Sequence, residues 1–543
     1  MKILIIGSGP TGVHFALSVL KKNHQVTMID VGTQRPAMAL PEENFTGLKQ
    51  SLDDPVRYFL GENFDAAILP EPGTDSKYYA LPPSKDYVFE APQFFDFATY
   101  GLSPLVSFAA GGLAEAWTGG CYPLNDTELS AFPFSYDDIE PYYGEVARRI
   151  GIASAEDDLA RFYPHHDNLS PPPSLDENSA RLLARYEDRR ATLISKHKII
   201  MGRSRHAVLT ESRDGRGGCR YCGRCLWGCP NQAFYTPSLT LRECVAHANF
   251  TYRDGFFASH FRLAPDSSIA HLVAYAVKGR GREIFSADAY ILACGTISTS
   301  NLILRSVYKS TGEIIRLTGL TDNRQVLAPF MNFTMLGRSY NADSYQYHQL
   351  AVGMLSADSN QYIHGQITTL KAATVHPLIK SLPVDFKTAI SLFSDFRSGL
   401  GIISLFFSDR RREENYLTLE QQQPSIDGAR DTWPRLAIHY RPPEDDPARI
   451  ESALAKLRRF FYDLRAPILP GLTRISPVGS GVHYSGTLPM SREKKSWCLS
   501  ENCQSYDIPN LCVIDGAAMP FLPAKNLTFT LMANAVRVAE RAF

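Results

Sequence analysis

The chain has 543 residues, 44% hydrophobic and 21% charged, which predicts more than one lobe and ample material for large buried cores. Its 56 basic and 56 acidic residues cancel, so no global field points to nucleic acid or an anionic membrane. Ten cysteines are too sparse for a disulfide scaffold, and their clustering suits a reducing compartment and a metal.

The N-terminus, MKILIIGSGP, enters a strand directly, with no charged n-region, long apolar stretch or cleavage site, so no signal peptide is expected and the expected location is cytoplasmic. The apolar run from Lys2 to Ile6 leads into GSGPTG, which sets Gly7, Gly9 and Gly12 in G-x-G-x-x-G spacing. A helical pattern through Phe15, Ala16, Val19 and Leu20 follows, then a second apolar run ending at Asp30. Each part has a job in dinucleotide binding. Gly7 permits the tight turn, Gly9 admits a pyrophosphate, and Gly12 lets helix and strand pack closely. The helix N-terminus meets the phosphate charge, and Asp30 accepts from a ribose hydroxyl. His14, in that helix, reads as a surface or packing residue.

Further along, YPHHDN places His165 and His166 in what reads as a solvated turn before the proline-rich linker SPPPS. Residues 218–230 read GCRYCGRCLWGCP. Cys219, Cys222, Cys225 and Cys229 there form C-x2-C-x2-C-x3-C-P, the spacing of the bacterial ferredoxin run, and predict an iron–sulfur cluster, 4Fe-4S with a three-iron form as the alternative. Zinc fits less well, because no second ligand pair lies at familiar spacing. In two-cluster ferredoxins the fourth cysteine serves the other cluster, so either Cys229 completes this site or a remote thiol does, from Cys121, Cys244, Cys294, Cys498, Cys503 and Cys512. Cys294 and Cys512 sit in apolar strands and read as buried packing residues.

SADAYILACGTISTSNLILRS is a strand ending at Gly295 and leading into a helix; it resembles the "ILAAG" segment of two-domain FAD-binding flavoproteins and favours FAD over NAD. The stretches SYQYHQLAVGM and NQYIHGQITTL alternate as an antiparallel sheet does, with DPARIESALAKLRRFFYDLRA as a helix packed against it. Tyr347, His348, His364 and Gln366 could face a substrate from that sheet, although outward polar positions are the simpler expectation. AISLFSDFRSGLGIISLFFS is interrupted by Asp395 and Arg397 and is not a membrane span, and Arg410–Arg412 read as a solvated charge run. At the C-terminus, strand LCVID presents Asp515 and Gly516, and LTFTLMANAVRVAERAF is a strongly amphipathic helix.

Several of these motifs, in order, resemble those of the glucose-methanol-choline (GMC) oxidoreductases. AAGGLAEAWTGGCYPLND is similar to the family's glycine-rich flavin loop, with Gly111 and Gly112, and FPFSYDDIEPYYGEVARRIGI to its "WP-x-SY-x-DL-x-PYY" segment. GVHYSGTLPM is similar to its His-x-x-Gly-Thr motif, and PAKNLTFTLMANA, with Thr528, to its Asn-Pro-Thr-Leu-Thr terminus. The resemblance implies an α/β fold: a Rossmann-like FAD-binding domain of the GMC/p-hydroxybenzoate hydroxylase type, with an α+β substrate domain built on an antiparallel sheet. The expected division is a discontinuous FAD domain of residues 1–40, 190–330 and 475–543, flavin-contacting loops and linker at 41–189, and a substrate domain at 331–475. It also implies catalysis by His483 and Asn526. Oxidising an alcohol requires a hydroxyl proton to leave as hydride moves to flavin N5; an imidazole suits the first task and a neighbouring amide can hold the alcohol oxygen. Tyr484 and Ser485 are possible substrate neighbours. Leu527 stands where the family usually has proline, so the backbone at Asn526 is expected to differ. Ala116 stands where pyranose-oxidase-like members have a histidine bonded to flavin, which implies non-covalent FAD; Trp117 beside it is a packing residue or a flavin neighbour.

Fructose and glucoside 3-dehydrogenases of this family resemble the chain in pairing flavin with a cysteine-bound cluster. The expected activity is therefore an FAD-dependent dehydrogenase that oxidises a secondary hydroxyl of a sugar or glycoside, with electrons leaving through the cluster to an external acceptor. The alternatives are an oxygen-dependent oxidase with a structural or absent cluster, and an electron-transfer or redox-sensing flavoprotein without alcohol chemistry.

Overall fold

The structure is a computed structural model and describes residues 1–35, 42–64, 81–92, 95–279, 281–356, 361–369, 379, 382–421 and 434–543. The expected boundary at residues 40 and 41 lies outside these. Two apolar cores organise the chain. The first surrounds a five-stranded parallel sheet in the order Leu511–Val513, Ala289–Leu292, Lys2–Ile6, Gln25–Ile29, Phe250–Arg253. Lys2–Ile6 lies at its centre, and Ile3 to Ile6 are all buried, as a strand covered on both faces must be. Helices Pro10–Lys21, Thr296–Thr311 and Thr528–Ala542 supply apolar residues to that core. Phe15 and the terminal Phe543 meet edge to face at 5.2 Å, so the two ends of the chain join in one layer.

The second core lies under a six-stranded antiparallel sheet in the order Arg474–Ile475, Arg324–Met331, Leu400–Phe407, Tyr362–Thr369, Leu350–Leu355, Ile199–Arg203. Helix Asp446–Asp463 presses Leu454, Leu457, Phe460 and Phe461 against Val326, Phe330, Ile403 and Leu405. Residues 190–330 serve both sheets, because Ile199–Arg203 forms an edge of the antiparallel sheet and Arg324–Met331 pairs with Leu400–Phe407 within it. Helix Phe386–Phe396 ends before strand Leu400–Phe407 begins, and no helix among the described residues is long and apolar enough to cross a membrane.

Two surface expectations are corrected. His165 is exposed, but His166 is buried between Tyr143 and Phe529, with Nδ1 3.0 Å from the Asp167 carbonyl. The arginine run is not simply solvated: Arg411 donates to the Gly486 carbonyl at 2.6 Å and to Thr318 O at 3.1 Å, and Arg412 pairs with the buried Asp409 at 2.7 Å.

Gly12 is the tightest point of the first layer. A Cβ there would stand 2.1 Å from the Gly7 carbonyl oxygen and 3.3 Å from the Ala293 Cβ, with no flexible side chain to yield. Gly12→Ala is expected to cost about 1–3 kcal/mol of stability and to weaken cofactor retention, measured by urea unfolding and by flavin released on gel filtration. Wild-type stability and retention would show that the helix can move away freely.

Candidate active site

The first glycine loop opens into a cavity of about 200 Å³ whose lining runs from Ile6 and Gly7 to His483 and Leu531. Gly7 has φ +103°, and a Cβ there would reach within 2.6 Å of the Ala293 carbonyl oxygen. Gly9 precedes helix Pro10–Lys21 without a side-chain cap, which leaves the first-turn N–H groups available to an anion. Asp30 accepts from the Ser8 N–H at 2.9 Å and from the Ser8 hydroxyl; its burial pushes the carboxyl up to about 6 against those bonds.

Eight of the ten expected cofactor residues line this cavity: Gly7, Gly9, Asp30, Gly112, Gly295, Asp515, Gly516 and Thr528. Gly12 and Gly111 act from behind it. Gly111 donates its N–H to Ser8 Oγ at 3.0 Å and so ties the flavin loop to the phosphate loop. Asp515 accepts from Gly295 N at 3.0 Å, Thr299 Oγ1 at 2.5 Å and Ala517 N at 2.9 Å, which fastens the two strand ends together; burial pushes its carboxyl up to about 6. Cys294, expected to be a packing residue, lines the same cavity. An acid, a cradle of glycines that a Cβ would fill and an uncapped helix end fit the ribose and pyrophosphate of FAD.

His483 lines this same cavity, with Val482 and Tyr484 beside it. Val482 has φ +56°, a strained conformation for a β-branched residue, of order 1–3 kcal/mol. The turn is held from outside. Asp322 accepts from Gly479 N at 2.8 Å, and the Tyr484 hydroxyl donates to Gly479 O at 2.5 Å while accepting from Leu105 N at 2.9 Å. Tyr484 is therefore a brace, and Ser485 is buried against the Thr321 hydroxyl at 2.7 Å rather than facing substrate. The Nδ1 of His483 has no hydrogen-bond partner, and burial lowers its pKa to about 4.

Asn526 stands at the neighbouring loop, its Oδ1 accepting from Gln366 Nε2. A Cβ on Gly120 would lie 2.9 Å from that Oδ1, so the amide is confined from a second side. The preceding Lys525 is fully buried and donates to Pro123 O at 2.9 Å, Phe162 O at 2.6 Å and the Glu128 carboxylate. Leu527 has φ −78°, a value proline also adopts, so its replacement of proline leaves the backbone in a proline-like state. No hydrogen bond joins His483 to Asn526 among the described residues; the antiparallel sheet spans them. Gln366 holds Asn526, and Phe406, paired with His364 across the sheet, stands 6.2 Å from the His483 ring. His364 is buried, with Nδ1 2.8 Å from the Tyr362 hydroxyl and Nε2 3.4 Å from Gln366 Nε2. His348 lies instead against His206, with ring centroids 4.7 Å apart, and the Tyr347 hydroxyl donates to Cys225 O.

A second, smaller cavity of about 20 Å³ is lined by all four clustered cysteines, Cys219, Cys222, Cys225 and Cys229, together with Phe234 and Tyr345; none of the other six cysteines lines it. The Gln346 N–H donates to Cys225 Sγ at 3.4 Å. Burial pushes the Cys219 thiol up to about 11 and raises Cys222 and Cys225 as well. Among the described residues no group of three or more His, Cys, Asp or Glu side chains is arranged to hold a single metal ion, as zinc at about 2.3 Å from each sulfur would require. Trp117 packs in the apolar cluster that includes Cys219, Cys225 and Cys229, and its Nε1 donates to Tyr235 O at 2.9 Å. His14 supports the same tyrosine from the other side, its Nε2 3.1 Å from the Tyr235 hydroxyl, and is a buried packing residue.

Four positions carry more of the site than their sequence context suggests. Gln366 was one of several polar residues on an alternating strand, and nothing local set it apart. Arg411 sits in what reads as a solvated charge run, Lys525 carries no role of its own in the motif that contains it, and Asp322 belongs to no motif. The one signal was Lys525 itself, a charge inside an otherwise apolar loop.

The chain matches the GMC oxidoreductase family over residues 412–535. It is 23% identical to paromamine 6'-oxidase of Streptomyces fradiae, over 99% of this chain and 90% of that protein. It is also 23% identical to C-glycoside 3-oxidase of Microbacterium trichothecenolyticum, over 80% of this chain and 76% of that one. Pyridoxine 4-oxidase from Mesorbium loti shares its fold, with a TM-score of 0.60 at 17% identity over 99% of this chain and 98% of that one. The family match over residues 412–535 and the two long alignments support an FAD-dependent oxidoreductase of GMC type acting on CH–OH groups, and the shared architecture shows the fold.

Proposed function

We propose that the protein is a dehydrogenase that oxidises a secondary hydroxyl of a sugar or glycoside to a carbonyl and passes the electrons through a Cys219–Cys222–Cys225–Cys229 iron–sulfur cluster, 4Fe-4S, to an external acceptor. The observation that carries the alcohol chemistry is the continuity of one cavity from the Gly7–Gly9 loop to a neutral His483. FAD supplies a hydride acceptor for the carbinol C–H bond. His483 takes the hydroxyl proton, for which it must be neutral, and its burial keeps it so above about pH 4. Asn526, held by Gln366, keeps the alcohol oxygen in line. Ala116 offers no nucleophile to the flavin, so the cofactor is held without a covalent bond.

The cysteine cavity supports the cluster by two features. Four thiols surround one space, and the buried Tyr345 hydroxyl lies beside them with no hydrogen-bond partner, a donor that cluster sulfur would satisfy. The segment that lines the flavin cavity at Gly112–Ala114 continues to Trp117, in the same apolar cluster as the cysteines. A cluster of this kind belongs in a reducing compartment and favours the cytoplasm. One observation favours a second reading, that oxygen is the acceptor and the cluster structural or absent: both relatives described above are named oxidases.

Anaerobic reduction of enzyme-bound flavin by a panel of paromamine, methyl β-D-glucopyranoside and D-glucose tests the alcohol chemistry. His483→Ala is expected to retain FAD and to slow reduction by about 10²–10⁴-fold; an undiminished rate removes His483 as the base. With wild type, kcat/KM should hold steady through pH 6.5 and fall only toward about pH 4, because the lowered imidazole pKa delays protonation. A break near 6.5 would place an ordinary, solvated histidine in control. Cys222→Ser should lose iron while FAD stays bound; unchanged iron content would strike Cys222 from the ligands.

A further inference from the structure

We infer that Gln366 is a positioning residue that fixes the Asn526 amide so that its Nδ2 N–H group, rather than its carbonyl, faces the alcohol oxygen. The inference rests on Asn526 acting at the substrate. An asparagine amide offers a donor on one side and an acceptor on the other, and the two differ little in shape. Which one meets the substrate decides whether the residue supports or repels an oxygen that gains negative charge as its proton leaves. Left alone, the amide can turn over.

Here it is clamped. Gln366 is buried, and its Nε2 donates to Asn526 Oδ1, which turns that oxygen toward the sheet and leaves Nδ2 on the opposite side. Gly120 closes the flank, where a Cβ would stand 2.9 Å from the same oxygen. Gln366 is in turn fixed by its neighbours. His364 Nε2 lies 3.4 Å from its Nε2, Tyr122 also hydrogen-bonds it, and the Tyr362 hydroxyl secures His364 at 2.8 Å. Lys525, with its three acceptors, anchors the backbone that carries Asn526. Position 366 therefore acts through its amide N–H and not through contact with the reacting atoms.

Replacing this donor by a titratable group gives a readout that packing alone would not move. The titratable groups facing this region are Tyr362 and His364 on the same strand, Tyr122, Lys525 with its partner Glu128, His348 and His483. His348 and His483, at about 3 and about 4, remain neutral between pH 5 and 8, as does the strongly lowered His364, so wild-type turnover should be level in that window. In Gln366→Glu, an ionised carboxylate cannot donate to Asn526 Oδ1 and turns the amide over; a protonated one donates as the glutamine does. Burial raises that carboxyl's pKa into the same window.

The experiment is anaerobic flavin reduction from pH 5 to 8 in wild-type holoenzyme, Gln366→Glu and Gln366→Leu, with the panel member that reduces wild type fastest. Expected results are a Gln366→Leu rate about 10- to 100-fold below wild type at every pH, with KM little changed, and a Gln366→Glu rate that is low at pH 8 and climbs toward wild type at pH 5. FAD content and melting temperature serve as controls on folding, and Gln366→Asn is the substitute if the glutamate variant does not fold. A wild-type rate in Gln366→Leu, or a Gln366→Glu rate that is highest at pH 8, overturns the inference, the latter by showing the amide reversed. Absence of reduction in wild type by every panel member rejects the proposed function itself, and an unaffected Asn526→Ala rejects Asn526 as the substrate's partner.

Discussion

The structure depends on one backbone contact, where the glycine loop after the first strand meets the end of strand Ala289–Leu292. Ala293 N donates to Ile6 O at 2.9 Å, and Gly7 comes so close to the Ala293 carbonyl that a side chain there has no space. Next in the sheet, Ile514 N donates to Leu292 O at 3.0 Å, and Asp515 then bonds back to Gly295. Three segments far apart in sequence thus end at one edge, and the cofactor cavity is the space their ends enclose. This arrangement follows the rule that ligands of parallel sheets bind beyond the strands' carboxyl ends. His483 reaches the same space because Gly516 packs its Cα side against the Tyr484 carbonyl, where a Cβ would lie 2.4 Å from the oxygen.

The region around His483 and Asn526 is built from neutral groups, and burial accounts for this. His364 and His483 both lose their affinity for protons through desolvation, and His364 is further discouraged by neighbouring positive charge. The charged residues nearby, Lys525, Glu128, Asp322 and Arg411, are all tied to backbone or to each other and serve as braces. A low-dielectric site of this kind strengthens each fixed dipole that meets a developing charge. The strained Val482 fits the same scheme, since a turn held by Asp322 and Tyr484 can keep its histidine at an angle that relaxed backbone would not.

The parts legible in the sequence were those in which a local pattern carries the physics. The Gly7–Gly12 spacing, the strand ends at Gly295 and Asp515, and the amphipathic terminal helix each announce themselves within a few residues, and the structure places them around one cavity. The cysteine spacing was equally local, and the four thiols do share a space. The parts that were not legible depend on pairing between distant strands. Gln366 meets Asn526 across 160 positions, and Arg411 meets Gly486 across 75, so no window of sequence contains both partners. His166 misled for a related reason: its neighbour His165 is exposed, while Phe529 from the far end of the chain covers it.

In the proposed reaction a hydroxyl substrate delivers electrons to flavin in one cavity and the cysteine cavity receives them next. The most direct measurement mixes anaerobically purified protein, of known iron, sulfide and FAD content, with substrate, and follows flavin absorbance and the electron paramagnetic resonance spectrum together. The expected result is about four irons per FAD, bleaching of the flavin and a reduced-cluster signal that grows after the bleaching begins. Flavin that bleaches in protein containing no iron would contradict the electron route and leave an oxygen-using oxidase as the function.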